Sequence, residues 1–123
     1  MNKTTDVLTS QRNHSIAVAD GLLDDFAVIV HRARRQRGFK MLRLPELAEK
    51  VGLSHPTIWR KIQEGRFPPA IPIGDRAVAW FEHEIDALLE ALGVAARRKM
   101  PLDMALFVSA LTSVEATGSL GEK

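Results

Sequence analysis

Three residues, Gly52-Leu53-Ser54, constrain this chain more than any other feature, because they are all that separates two short helical patterns. Pro45 stands where a first helical residue is expected and is followed by Glu46, Leu47, Ala48 and Val51, after which Gly52 can supply a left-handed cap. Ser54 then offers an N-cap, Pro56 falls in the first turn where its missing N–H costs little, and Ile58 and Ile62 repeat at four-residue spacing up to Gly65. So short a connection is of the kind that joins the two helices of a DNA-reading pair.

The pattern changes character after Gly65. Arg66-Phe67-Pro68-Pro69 cannot continue a helix, while Ile71 to Ile73 and Ala77 to Trp80 read as two short strands around Gly74-Asp75-Arg76. Such a hairpin is a wing, with Arg76 at or near its tip, where a cation suits a phosphate or a minor groove. A solvated turn residue is the plainer alternative. Glu82, Glu84 and Asp86 then load acid onto the start of a third helix carrying Ile85, Leu88, Leu89 and Leu92, expected to end before Gly93.

With Ile58 and Ile62 turned to the core, Pro56, Arg60 and Gln63 lie on the outer face of the second helix, flanked by Thr57, Trp59 and Glu64. In a major groove Thr57 and Arg60 reach base edges or phosphates and Gln63 lies further along. The competing reading is that these groups only solvate an exposed face. Trp59, an indole at the edge of a short helix, is read first as core or wing packing and second as a base contact.

These residues resemble a family. Leu44-Pro45-Glu46, Gly52-Leu53-Ser54, Ile58-Trp59-Arg60, Glu64-Gly65-Arg66-Phe67-Pro68, and Gly74 with Arg76-Ala77-Val78-Ala79-Trp80 are similar to the AlpA family of small prophage regulators, relatives of the excisionase and MerR-type winged helices. The resemblance covers Leu42 to about Leu92. It implies sequence-specific binding to promoter or attachment-site DNA, with variable readers at His55, Pro56, Thr57 and Arg60 and wing cations at Arg66 and Arg76. The family commonly has Arg or a small polar residue where His55 and Pro56 stand, so its base preference does not carry over. It also commonly has Ser as N-cap of the last helix, where His83 stands here, and His83 is expected to be structural or solvent-facing. The full candidate set is Ser54, His55, Pro56, Thr57, Arg60, Lys61, Gln63, Arg66 and Arg76.

Charge agrees with a DNA-facing centre. The net formal charge is only +2, too mild to argue from alone. Residues 1–31 hold two basic and four acidic side chains, 32–76 eleven and four, 77–96 none and four, and 97–123 four and three, so the excess sits in the middle. Counterion release from such a surface makes binding salt-dependent. Arg32, Arg34, Arg35 and Arg37 form a run with two readings: a basic arm along phosphates or in a minor groove, or the solvated end of a helix set against its own dipole before Gly38.

A chain of 123 residues permits one domain with additions. The expected fold is mainly α with a small β-hairpin: a winged helix-turn-helix over 39–96, a flanking helix with a basic end over 19–38, and a C-terminal helix over 97–117. The first flank rests on Leu22, Leu23, Phe26, Ile29, Val30 and Ala33, the second on Met104, Phe107, Val108, Leu111 and Val114 after Pro101. Either can dock on its own molecule or pair two copies into a homodimer. Residues 1–18 and 118–123, polar and without periodicity, are expected to be disordered tails.

Other functions find little support. No apolar run reaches membrane or signal-peptide length, so a cytoplasmic protein with no membrane association is expected. With no Cys there is no thiolate metal site, and His14, His31, His55 and His83 share no ligand spacing, so neither metal nor cofactor is expected. Tyr is absent, which excludes a tyrosine recombinase or relaxase nucleophile, and Ala87 stands where a zinc-protease pattern starting at His83-Glu84 requires its second His. An enzyme is therefore not expected. The reading is a sequence-specific regulator of prophage or mobile-element genes that binds double-stranded DNA, with an integrase or RNA polymerase as candidate protein partners. Its alternatives are an excisionase-like directionality factor that bends attachment-site DNA, and a protein-recruiting assembly module such as a small phage packaging subunit.

Overall fold

The computed structural model describes residues 21–114. The expected tails at 1–18 and 118–123, the first two residues of the N-terminal flank and residues 115–117 of the C-terminal one lie outside the described residues. Within them the architecture is a winged helix-turn-helix backed by flanking helices: α1 (Asp24–Arg35), β1 (Met41–Leu42), α2 (Leu44–Val51), α3 (His55–Gln63), β2 (Ile71–Pro72), β3 (Val78–Phe81), α4 (Glu82–Arg98) and α5 (Met104–Thr112).

The helix-turn-helix forms where local backbone chemistry demands it. The Arg43 N–H donates to Glu46 Oε1 at 3.0 Å, satisfying one donor at the start of α2, and Pro45 occupies the first turn. Gly52 ends α2 at φ 73°, a left-handed conformation that a side chain would resist. Ser54 caps α3 by accepting from the Thr57 N–H at 3.3 Å. Leu47 of α2 and Ile58 of α3 are fully buried, so each short helix is held by one deep apolar anchor.

The wing pairs as expected, antiparallel, with Ile71 opposite Ala79 and Pro72 opposite Val78. The Ile73 N–H donates to the Ala77 carbonyl at 2.9 Å and closes the loop that carries Gly74, Asp75 and Arg76. A third strand was not expected. Met41 and Leu42 pair with Phe81 and Trp80 along the other edge of β3, giving the strand order β1-β3-β2. A two-residue strand has no alternation to read. It exists because β3 presents unpaired backbone on that side.

Two expectations about the last helices need correction. α4 does not stop at Gly93 but runs to Arg98 and ends with Lys99 in the left-handed region at φ 53°. A mid-helix Gly costs about 0.5–1 kcal/mol, which the half-buried Val94 and Ala95 beyond it offset by packing on the core. Leu92, assigned to the apolar stripe, is 42% exposed; the buried face is Ile85, Ala87, Leu88 and Ala91. Likewise α5 is shorter than 97–117: residues 97 and 98 belong to α4, Asp103 caps α5 through the Leu106 N–H at 3.0 Å, and Val114 lies past its end at 86% exposure.

The flanking helices dock on their own molecule. α1, α4 and α5 pack against one another, burying Phe26, Ile29, Val30, Phe107, Val108 and Leu111 in the same core as Leu47, Ile58 and Trp80. Asp25 accepts from Arg98 at 2.6 Å, and Arg32 pairs with Glu90, so two ion pairs bridge antiparallel α1 and α4. Arg34 reaches across to α5, where its Nη1 donates to the carbonyls of Ala110, Leu111 and Ser113, the last at 2.6 Å. A guanidinium thereby satisfies carbonyls that a helix C-terminus leaves without intrahelical partners.

Candidate nucleic-acid interface

The face expected to meet DNA is built on α3. Ile58 fixes its orientation by being fully buried, which leaves Ser54, His55, Pro56, Arg60 and Gln63 exposed. Thr57 is half-buried. Its Oγ1 accepts from Ser54 Oγ at 2.8 Å while its N–H donates to the same oxygen, so the two hydroxyls form one small network at the helix start. Thr57 is thus tied to the cap, although its own hydroxyl proton remains available to an outside acceptor. Lys61 is half-buried on the flank of the helix.

Glu64 organises the cations, a role the sequence reading did not assign. Its carboxylate lies 3.5 Å from Arg60 and 3.8 Å from Arg66, and all three side chains are substantially exposed. One acid therefore lies within ion-pair reach of both Arg60 and the cation of the following turn, Arg66. An i,i+4 spacing between Arg60 and Glu64 was the available signal.

The wing is braced against this helix by two tryptophans. Trp80 is fully buried and its Nε1–H donates to the Pro68 carbonyl at 3.0 Å, pinning the turn after α3 onto β3. Trp59 lies against it and is 39% exposed, which agrees with the wing-packing reading. Arg76 is exposed at the hairpin tip.

Pairing elsewhere sharpens the charge distribution. Lys50 bonds Asp86 at 2.8 Å and Glu82 at 3.2 Å, and its pKa is raised chiefly by the Asp86 hydrogen bond. Lys40 lies 3.9 Å from Glu82. The acidic start of α4 is thus engaged by lysines from α2 and the approach to β1. Of the basic run, Arg32 and Arg34 are in the last turn of α1 with the intramolecular partners given above, while Arg35 and Arg37 are exposed.

His83 is half-buried: the Gly38 N–H donates to its Nδ1 at 3.3 Å and its ring lies 5.3 Å from that of Phe81. Burial, aided by Arg37, pushes its pKa below the ordinary value, so the ring is a neutral acceptor. Beside it, burial pushes Glu84 up to about 7, against the opposing pull of Arg37 and Arg34. Among the described residues no group of three or more His, Cys, Asp or Glu side chains is placed to hold a metal ion, and no helix is long and apolar enough to cross a membrane.

Comparison with known proteins places this geometry. Residues 40–90, from the approach to β1 through the first half of α4, match the family model described as prophage CP4-57 regulatory protein (AlpA). The chain is 38% identical over 60 residues to the uncharacterized protein ORF88 of Enterobacteria phage P4, a match spanning 49% of this chain and 67% of that protein. No solved structure matches. The family match spans the helix-turn-helix and the wing, and with both matches the chain belongs to the AlpA family of prophage regulatory proteins.

Proposed function

We propose that this protein is a sequence-specific DNA-binding regulator of prophage or mobile-element genes. In this reading α3 enters the major groove with His55, Pro56, Thr57 and Arg60 foremost and Gln63 further along. Ser54 and Lys61 flank the helix at the backbone, Arg66 follows the phosphates, and Arg76 on the wing meets a phosphate or the adjacent minor groove.

One observation carries the reading. Beyond its Ser54 cap α3 exposes His55, Pro56, Arg60 and Gln63, and Arg76 stands exposed at the tip of the β2–β3 hairpin, while the acidic start of α4 is engaged by Lys40 and Lys50. A surface so arranged offers its positive charge where a duplex would lie.

Selection of bound sequences from random duplex DNA, repeated at two salt concentrations with Arg60→Ala as control, tests it. A recovered motif that depends on Arg60 is the expected result, and the spacing of half-sites within it would report whether two copies bind together. Salt-sensitive binding without a motif would replace sequence reading by an architectural role. Absence of binding would overturn the proposal in favour of protein recruitment.

A further inference from the structure

A cleft opens at the base of the wing, at the opposite end of the strands from Arg76. Its volume is about 450 Å³, and its walls come from the end of α1, the chain leading into β1, the strands β2 and β3, the first turn of α4 and the end of α5. That volume falls within the ordinary range for small-molecule sites, roughly 300–1,000 Å³. α3 contributes no wall, so the cleft is separate from the face assigned to DNA.

The lining is apolar with a few convergent polar groups. Phe39 stands at the rim with 91% of its surface open to solvent, and Phe81, Ile71 and Leu111 form the interior. A phenyl ring so exposed gains nothing from the fold as it stands, and an apolar occupant would cover it. Arg37 is exposed at the mouth, and Arg34 is fixed in the wall by the α5 carbonyls it binds. Glu84 completes the site, and among the described residues it makes no hydrogen bond or ion pair.

We propose that this cleft binds a small organic anion, an apolar body bearing a single carboxylate or sulfonate. The anionic group meets the Arg37 guanidinium at the mouth, with Arg34 behind it, and the apolar body lies between Phe39 and the Phe81–Ile71 wall. A cationic ligand is disfavoured by the two guanidiniums, and a nucleic acid by the concave apolar wall.

Glu84 makes the site proton-linked. The charged groups acting on it are Arg34 of α1 and Arg37 just past that helix, and His83 of its own helix shares the lining; among the described residues the strands and α5 contribute only apolar and hydroxyl side chains there. Protonated, Glu84 leaves the cleft positive and can donate to the ligand. Ionised, it sets a carboxylate beside the ligand's own charge, so affinity falls as the pH rises through neutrality.

Fluorescence titration of the full-length protein with anilinonaphthalene sulfonate tests this, with far-UV circular dichroism confirming that each variant is folded. One saturable site is expected. Arg37→Ala should weaken it by about tenfold, the loss of one charge-assisted hydrogen bond. Phe39→Ser should weaken it too, while Val28→Ser, which alters an exposed apolar residue outside the cleft, should leave it unchanged. Between about pH 6 and about pH 8 the parent should lose affinity and Glu84→Gln should not. Probe-induced amide shifts in NMR spectra should cluster at Phe39, Ile71, Phe81 and Leu111. Absence of saturable binding, equal affinity in Arg37→Ala and Phe39→Ser, or shifts clustered elsewhere would overturn the proposal, and none of these readouts depends on DNA binding.

Discussion

The indole of Trp59 packs on that of Trp80 with ring centroids 5.7 Å apart and planes inclined at 57°, so the candidate reader helix and the wing strand share one aromatic contact. Trp59→Ala should lower the free energy of unfolding by about 1–2 kcal/mol, the tilted pair and its partly buried area being lost together. Trp80→Ala should cost about 3–5 kcal/mol, because it empties the centre of the core and frees the Pro68 carbonyl. Urea denaturation of both variants and of the double variant checks this. Additive effects would show that the rings do not brace each other.

Glu64 sits between Arg60 and Arg66 on an exposed surface, where ion pairs add little to stability. Glu64→Gln should therefore unfold within about 0.5 kcal/mol of the parent yet bind duplex DNA more tightly at low salt, since a negative charge leaves the neighbourhood of the phosphates. Arg76→Ala should weaken binding to most sequences alike and reduce the salt slope by about one. Anisotropy titrations over a salt series measure both. Weaker binding by Glu64→Gln would mean that the carboxylate holds Arg60 in its reading position.

Stability should depend on pH through Glu84. Its folded pKa is raised from 4.5 to about 7, chiefly by burial, so between those values the native state holds a proton that the unfolded chain releases. Stability from this group consequently falls as the pH rises through that window, and the loss is complete above it. His83, with a lowered folded pKa, acts oppositely, losing stability as the pH falls below 6.5. Comparing parent with Glu84→Gln isolates the first effect. The variant should be more stable by about 2 kcal/mol at alkaline pH and by much less near pH 5, as read from thermal or urea unfolding at each pH. A difference that does not change with pH would contradict the assignment.

Lys99 ends α4 at φ 53°, a conformation that glycine adopts without steric cost. Lys99→Gly should stabilise the protein by about 1 kcal/mol, because the strain of a left-handed side-chain-bearing residue is removed. Calorimetry would register this as a higher Tm. An unchanged or lower Tm would indicate that the lysine side chain compensates locally.

Sequence alone determined the helix-turn-helix and the hairpin, because their signals act within a few residues. Pro45, Gly52, Ser54 and Gly65 set backbone conformation or satisfy nearby N–H groups wherever the chain goes next. The same locality explains why the outer face of α3 could be read from the spacing of Ile58 and Ile62. What the sequence left open or misjudged depends on groups distant along the chain. β1 exists only because β3 offers a free edge, α4 outlasts Gly93 because the core holds Val94 and Ala95, and Arg34 spends its guanidinium on α5. The docking of both flanking helices and the cleft between them and the wing arise in the same way. Burial and long-range pairing, which no local pattern encodes, decided where each of these side chains could end its search for partners.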